Sequence, residues 1–148
     1  MTMDERAVRV AMIVIPTAAL VYSTIVLTQL ADKPVAEVTW IVPMIWCMVS
    51  VIVITIATVI ATAIGTAIKA EVRGEKAEFE DGDERDLEIE RYAEHKTRWF
   101  NGLVSVTAIV LAMNSVDHFW IASTVYLIGS LGATTGSIVQ IRAYRRGF

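Results

Sequence analysis

The sequence predicts an all-α integral membrane protein. It has four transmembrane helices, arranged as two hairpin repeats of the same orientation, with helices 2 and 3 extending into the cytoplasm. Three observations carry this. Four runs contain no Asp, Glu, Lys or Arg: Val10–Ala31, Val38–Ile68, Trp99–Val116 and His118–Ile141, with 22, 31, 18 and 24 residues. About 20 helical residues at 1.5 Å rise cross a hydrocarbon core of roughly 30 Å, and the runs do not alternate with the period of a barrel strand. The charge is gathered instead in one segment, Lys69–Arg98, with 7 Lys/Arg and 11 Asp/Glu. Lastly, 12 of the 13 Lys and Arg fall on one side of the implied membrane.

That asymmetry sets the orientation. Arg6 and Arg9, the central segment, and Arg142, Arg145 and Arg146 lie on one side, and Lys33 alone lies on the other. Positive charges stay inside, so both termini and the central segment are predicted to be cytoplasmic in a prokaryotic inner membrane. The first apolar run is too long for the h-region of a cleavable signal and is expected to stay as a membrane helix.

Helix 1 is expected from about Ala7 to Leu30, with Pro16 inside it as a possible kink point. Residues 31–37 form an outer turn punctuated by Pro34. Helix 2 begins near Val38, with Trp40 at the interface and Pro43 in its first turns, where proline is best tolerated. Its uncharged length exceeds the bilayer, so it tilts or projects inward. Helix 3 has the opposite problem and is expected to start early, near Asp83, because Asp83 can cap and acidic residues crowd its first turn; it is expected to end near Asn114. Asp81–Arg85 and Glu94–Arg98 have helical ion-pair spacing. Ile89, Tyr92, Ala93, Lys96 and Phe100 fall on one stripe. Helix 4 runs from about His118 to Arg145. The overlong inner ends of helices 2 and 3 are expected to pack together, since a short link, 75–82, joins them.

The punctuation repeats. Glu37-x-x-Trp40-Ile41 matches Asp117-x-x-Trp120-Ile121, and Ile68-Lys69-Ala70-x-x-Arg73-Gly74 matches Ile141-Arg142-Ala143-x-x-Arg146-Gly147. The single membrane domain therefore divides into repeat 1 (4–74), a linker (75–82) and repeat 2 (83–147). Two such hairpins would be related by an axis along the membrane normal.

The contact candidates are small and hydroxyl residues at spacing four. Helix 2 carries Ala57, Ala61 and Gly65 beside Thr58, Thr62 and Thr66. Helix 4 carries Gly129 and Ala133 beside Gly132 and Gly136. Small residues let helix backbones approach closely in lipid. They serve packing within the four-helix unit, or a face for another copy or another membrane protein. The helix 2 threonines are the candidates for a polar pathway. On the cytoplasmic part of helix 3, Arg85, Ile89, Arg91 and Tyr92 are the expected contact residues.

No ionisable residue lies in the middle of any span, which argues against ion-coupled transport. His95 and His118 fall on opposite sides of the membrane and share no metal. Cys47 is alone, so no internal disulfide can form. No catalytic cluster, cofactor site or metal site is expected, and the net charge of −3 argues against nucleic acid as a partner. The expected function is that of a non-enzymatic accessory, scaffold or regulatory protein. The alternative is a homo-oligomeric channel or transporter for a small solute or ion.

The string Asp83-Glu84-Arg85-Asp86-x-x-Ile89-Glu90 before a membrane helix resembles the DERD-x-x-I-E strings of a group of small prokaryotic four-helix membrane proteins, the DUF2178 type. Asp117-x-Phe119-Trp120-Ile121 and the terminal Ala143–Phe148 segment add to the likeness, which covers mainly residues 83–148. The resemblance implies a four-helix membrane fold and implies no activity.

Overall fold

In the computed structural model, residues 3–73 and 84–146 are described, and the expected linker 75–82 lies outside them. Four helices account for nearly all of it: α1 (Met3–Asp32), α2 (Ile41–Arg73), α3 (Glu84–Met113) and α4 (His118–Arg146). A short 3₁₀ turn, Val35–Glu37, lies between α1 and α2. α1 continues unbroken through Pro16.

Three helices are long and apolar enough to cross a membrane, over Glu5–Asp32, Ile41–Gly65 and His118–Arg145. α3 is not among them, although four such helices were expected. The reason is where α3 stops. Its uncharged part begins at Trp99 and the helix ends at Met113, close to the expected Asn114 and before the uncharged run ends at Val116. About 15 residues remain, or about 22 Å of apolar helix.

Two neighbouring motifs end α3 and start α4. Ser115 has φ 55°, in the left-handed region. The amide of Val116 donates to the Leu111 carbonyl (3.2 Å), and that of Ser115 to the Ala112 carbonyl (3.0 Å). These are the two bonds of a Schellman motif, with serine where glycine usually sits. Asp117 then caps α4: its carboxylate accepts from the amide of Phe119 at 2.8 Å. Replacing Ser115 by glycine removes the penalty of a side chain in this conformation. It should stabilise the protein by about 0.5–1 kcal/mol, seen as a small rise in melting temperature in bicelles.

The turn between α1 and α2 is held differently. The Gln29 side-chain oxygen accepts from both the amide (2.9 Å) and the hydroxyl (3.0 Å) of Thr39. Trp40 precedes the first residue of α2, whereas Trp120 is the third residue of α4. The matching acid-x-x-Trp-Ile strings therefore take different local structures. Pro43, without an amide hydrogen, falls at the third position of α2, where no intrahelical donor is required.

Extensive packing joins α3 with α4, α1 with α2, and α1 with α4. Among the described residues α2 and α3 do not pack extensively; most side chains of their inner ends, where packing was expected, lie outside those described. α1 and α4 form the middle of the structure, with α2 and α3 flanking them. Tyr22, toward the end of α1, bonds Ser123, near the start of α4. α1 and α4 are thus antiparallel, and both turns lie at one end of the bundle. Near that end sits the main core cluster of Tyr22, Val26, Val38, Cys47 and Phe119, flanked by Leu30, Trp40, Met44 and Tyr126. Tyr22 meets Tyr126 edge-on at 5.1 Å, and Phe119 meets Trp40 at 6.1 Å and Trp120 at 4.8 Å. Outside the core, isoleucine, valine and leucine dominate the exposed surface along α2 and the outer face of α1. Such a surface suits hydrocarbon and would be an aggregation liability in water.

Candidate functional site

α2 turns one stripe toward α1. Met44, Cys47, Val51, Thr55, Thr58 and Thr62 are buried or half-buried, while Ala57 and Ala61 are exposed. A side chain at Gly65 would meet nothing within 4 Å. The Ala57–Ala61–Gly65 face is therefore uncovered within the chain. The threonines beside it are satisfied locally. Thr58 donates to the Ile54 carbonyl (2.7 Å) and Thr62 to the Val59 carbonyl (2.8 Å). Hydroxyls bonded to their own helix backbone are how serine and threonine enter apolar helices without a partner. The Thr66 side chain lies outside those described.

On α4 the two small stripes separate. Gly132 is buried, and a Cβ there would stand 2.9 Å from the Phe100 Cβ of α3. Gly136 would bring a Cβ to 3.8 Å from Thr97. These two glycines set the close approach of α3 to α4. Gly129 and Ala133 are exposed, and Gly129 faces open space.

The expected contact residues of α3 also divide. Ile89 is fully buried, together with Ala93. This corrects its assignment as a cytoplasmic contact: its stripe is the one that packs, because α3 leans on α4 along this face. Tyr92 and Arg91 are exposed, and the Lys96 ammonium lies 5.6 Å from the centre of the Tyr92 ring. The Arg85 side chain lies outside those described. Glu94 and Arg98, both exposed, are not within ion-pair distance, and among the described residues the ion pair is Arg9–Glu5 at 2.6 Å. His95 lies in the first half of α3 and His118 is the first residue of α4; no group of three metal-ligating residues forms among the described residues.

Comparison with protein-family models, with curated proteins and with solved structures finds no match. What the chain can do has to be argued from its own geometry.

Two features were not singled out from the sequence. One is the Tyr22–Ser123 hydrogen bond, 2.7 Å long and buried between α1 and α4. Its residues are 101 positions apart, and nothing local marks them. The other is a cavity of about 200 Å³ at the end of the bundle opposite the turns. Ala7 and Val8 of α1, Asp86 and Glu90 of α3, and Gln140 and Tyr144 of α4 line it. Asp86 and Glu90 are one helical turn apart on α3, and so are Gln140 and Tyr144 on α4. Asp86 is 6% exposed. Its position in an acidic string at a helix start was visible, but such strings are normally solvated; its burial depends on α1 and α4 converging there.

Proposed function

We propose that this chain is a non-enzymatic accessory or regulatory protein of the prokaryotic cytoplasmic membrane, acting by helix–helix contact with another membrane protein or another copy of itself. In this reading all four helices are embedded, α3 with its charged first half in the cytoplasm, and both termini are cytoplasmic. The two hairpins are repeats of one orientation. The likeness to the DUF2178 type belongs to this reading for fold and location and adds no activity.

One observation carries the functional part. α2 packs mainly on α1, meeting α4 near the turns, and among the described residues its Ala57–Ala61–Gly65 stripe is left open. A stripe of small residues gives lipid little to pack against and lets a second helix approach closely. The channel alternative would use the same helix, with Thr58 and Thr62 lining a path. Both hydroxyls are already bonded to their own backbone. No charged residue lies midway along the spans to bind an ion.

The test is the mass of the complex extracted into native nanodiscs, for the natural chain and for the Ala57→Ile/Ala61→Ile double variant. The expected result is a defined complex for the natural chain and at least tenfold weaker association for the variant, with unchanged melting of the protein itself. A natural chain that extracts alone as a monomer overturns the proposal. A homo-oligomer whose solute flux falls in Thr58→Val/Thr62→Val, with assembly intact, establishes the channel instead.

A further inference from the structure

We propose that the cavity between the starts of α1 and α3 and the end of α4 binds an organic cation through a primary ammonium group, with Asp86 as its main counter-charge. Asp86 is more than nine-tenths buried and lines the cavity. Among the described residues its carboxylate has neither a hydrogen-bond donor nor an ion-pair partner. On α1, Arg6 and Arg9 flank Ala7 and Val8; Arg9 is engaged by Glu5 at 2.6 Å, and Arg6 forms no ion pair with Asp86. A buried aspartate is normally matched by a positive group, and Asp86 has none among the described residues. Glu90 adds a second carboxylate one turn away on the same face, a spacing at which like charges repel unless a cation lies between them.

The shape of the site selects the kind of cation. At about 200 Å³ the cavity is far larger than one water or a bare ion needs. Its acidic lining is two carboxylates, and no group of three metal-ligating residues forms among the described residues. An ammonium group has three donors, which the oxygens of Asp86, Glu90 and Gln140 can accept. The methyl groups of Ala7 and Val8 suit a short alkyl chain behind it. The same chemistry is offered by a free alkylamine and by a lysine side chain of another protein.

The test is calorimetric titration of the full chain in nanodiscs with 1,4-diaminobutane, with a lysine blocked at both its amino and carboxyl ends, and with Mg²⁺. One amine should bind saturably and one-to-one. Asp86→Asn should weaken it at least tenfold, and Glu90→Gln several-fold. The unliganded Asp86→Asn variant should melt no lower than the natural chain, because it loses a buried charge without a partner. Val8→Phe, which fills the cavity and keeps both carboxylates, should also abolish binding. Tighter binding of the diamine assigns a free amine as ligand, and tighter binding of the blocked lysine assigns a protein side chain. No saturable amine binding, amine binding unchanged by Asp86→Asn, or Asp86-dependent binding of Mg²⁺ without either amine overturns the proposal.

Discussion

Replacing Gly132 by leucine is expected to cause one of the largest losses of stability in this protein. The position faces Phe100, and even the first added carbon would lie 2.9 Å from the Phe100 Cβ and 3.0 Å from its Cγ. The contact is with the root of the phenylalanine side chain, close to the backbone of α3, so rotating the ring does not relieve it. The two helices must separate. That separation also loosens the packing of Ile89, Ala93 and Ser137, which are buried on the same pair of helices. Overpacking of this kind costs about 1–3 kcal/mol and sometimes more. Thermal unfolding in bicelles should show the loss, and Gly129→Leu is the internal control, because position 129 faces open space. Phe100→Ala should recover part of the loss in the double variant, since the two positions touch. Equal effects at 129 and 132 would mean that α3 does not lie where described.

The second large effect is expected at Tyr22. It is 1% exposed, at the centre of the core cluster, and touches the Tyr126 ring as well as the Ser123 hydroxyl. Truncation to alanine removes an aromatic ring from the junction of α1, α2 and α4, and should cost about 3–5 kcal/mol by analogy with other buried aromatic truncations. Tyr22→Phe separates the ring from the hydroxyl. Hydrogen bonds between helices in membranes average about 0.6 kcal/mol and reach about 1.7 kcal/mol, so this variant should lose no more than that. Ser123→Ala should lose a similar amount, and the double variant should be no worse than either single one. The ring, then, holds the junction, and the hydroxyl fixes its register. A Tyr22→Phe loss as large as that of Tyr22→Ala would reverse this assignment.

The sequence revealed the helices better than their neighbours. Charge-free runs located the helical segments, because lipid admits little else. The start of α4 at His118 was legible because Asp117 interrupts the uncharged runs there. The expected end of helix 3 near Asn114 agrees with the end of α3 at Met113, but Ser115 is not the residue that usually marks a left-handed cap, so the motif that stops it was not legible. Faces were harder. α2 is apolar all round, so its residues do not say which side meets protein and which meets lipid. Gly129 and Gly132 are equivalent as letters in a small-residue pattern; Phe100, some thirty positions away on another helix, decides between them. Ile89 illustrates the same difficulty. An apolar residue in a charged helix can be a docking residue or a packing residue, and here α4 covers that face. The cavity was least accessible, because three helix ends separated along the chain build it.

The Tyr22–Ser123 bond also bears on how the protein is made. Each hairpin can pair its two helices as soon as both have emerged, but α1 meets α4 across 101 positions. At roughly 5–20 residues per second, translation takes about 5–20 seconds to reach Ser123 after Tyr22. For that interval the face of α1 that will meet α4 has no partner from its own chain. In the proposed membrane setting, the joining of α1 and α4 would then be a lateral encounter of two finished hairpins rather than a step set by the order in which their residues leave the ribosome.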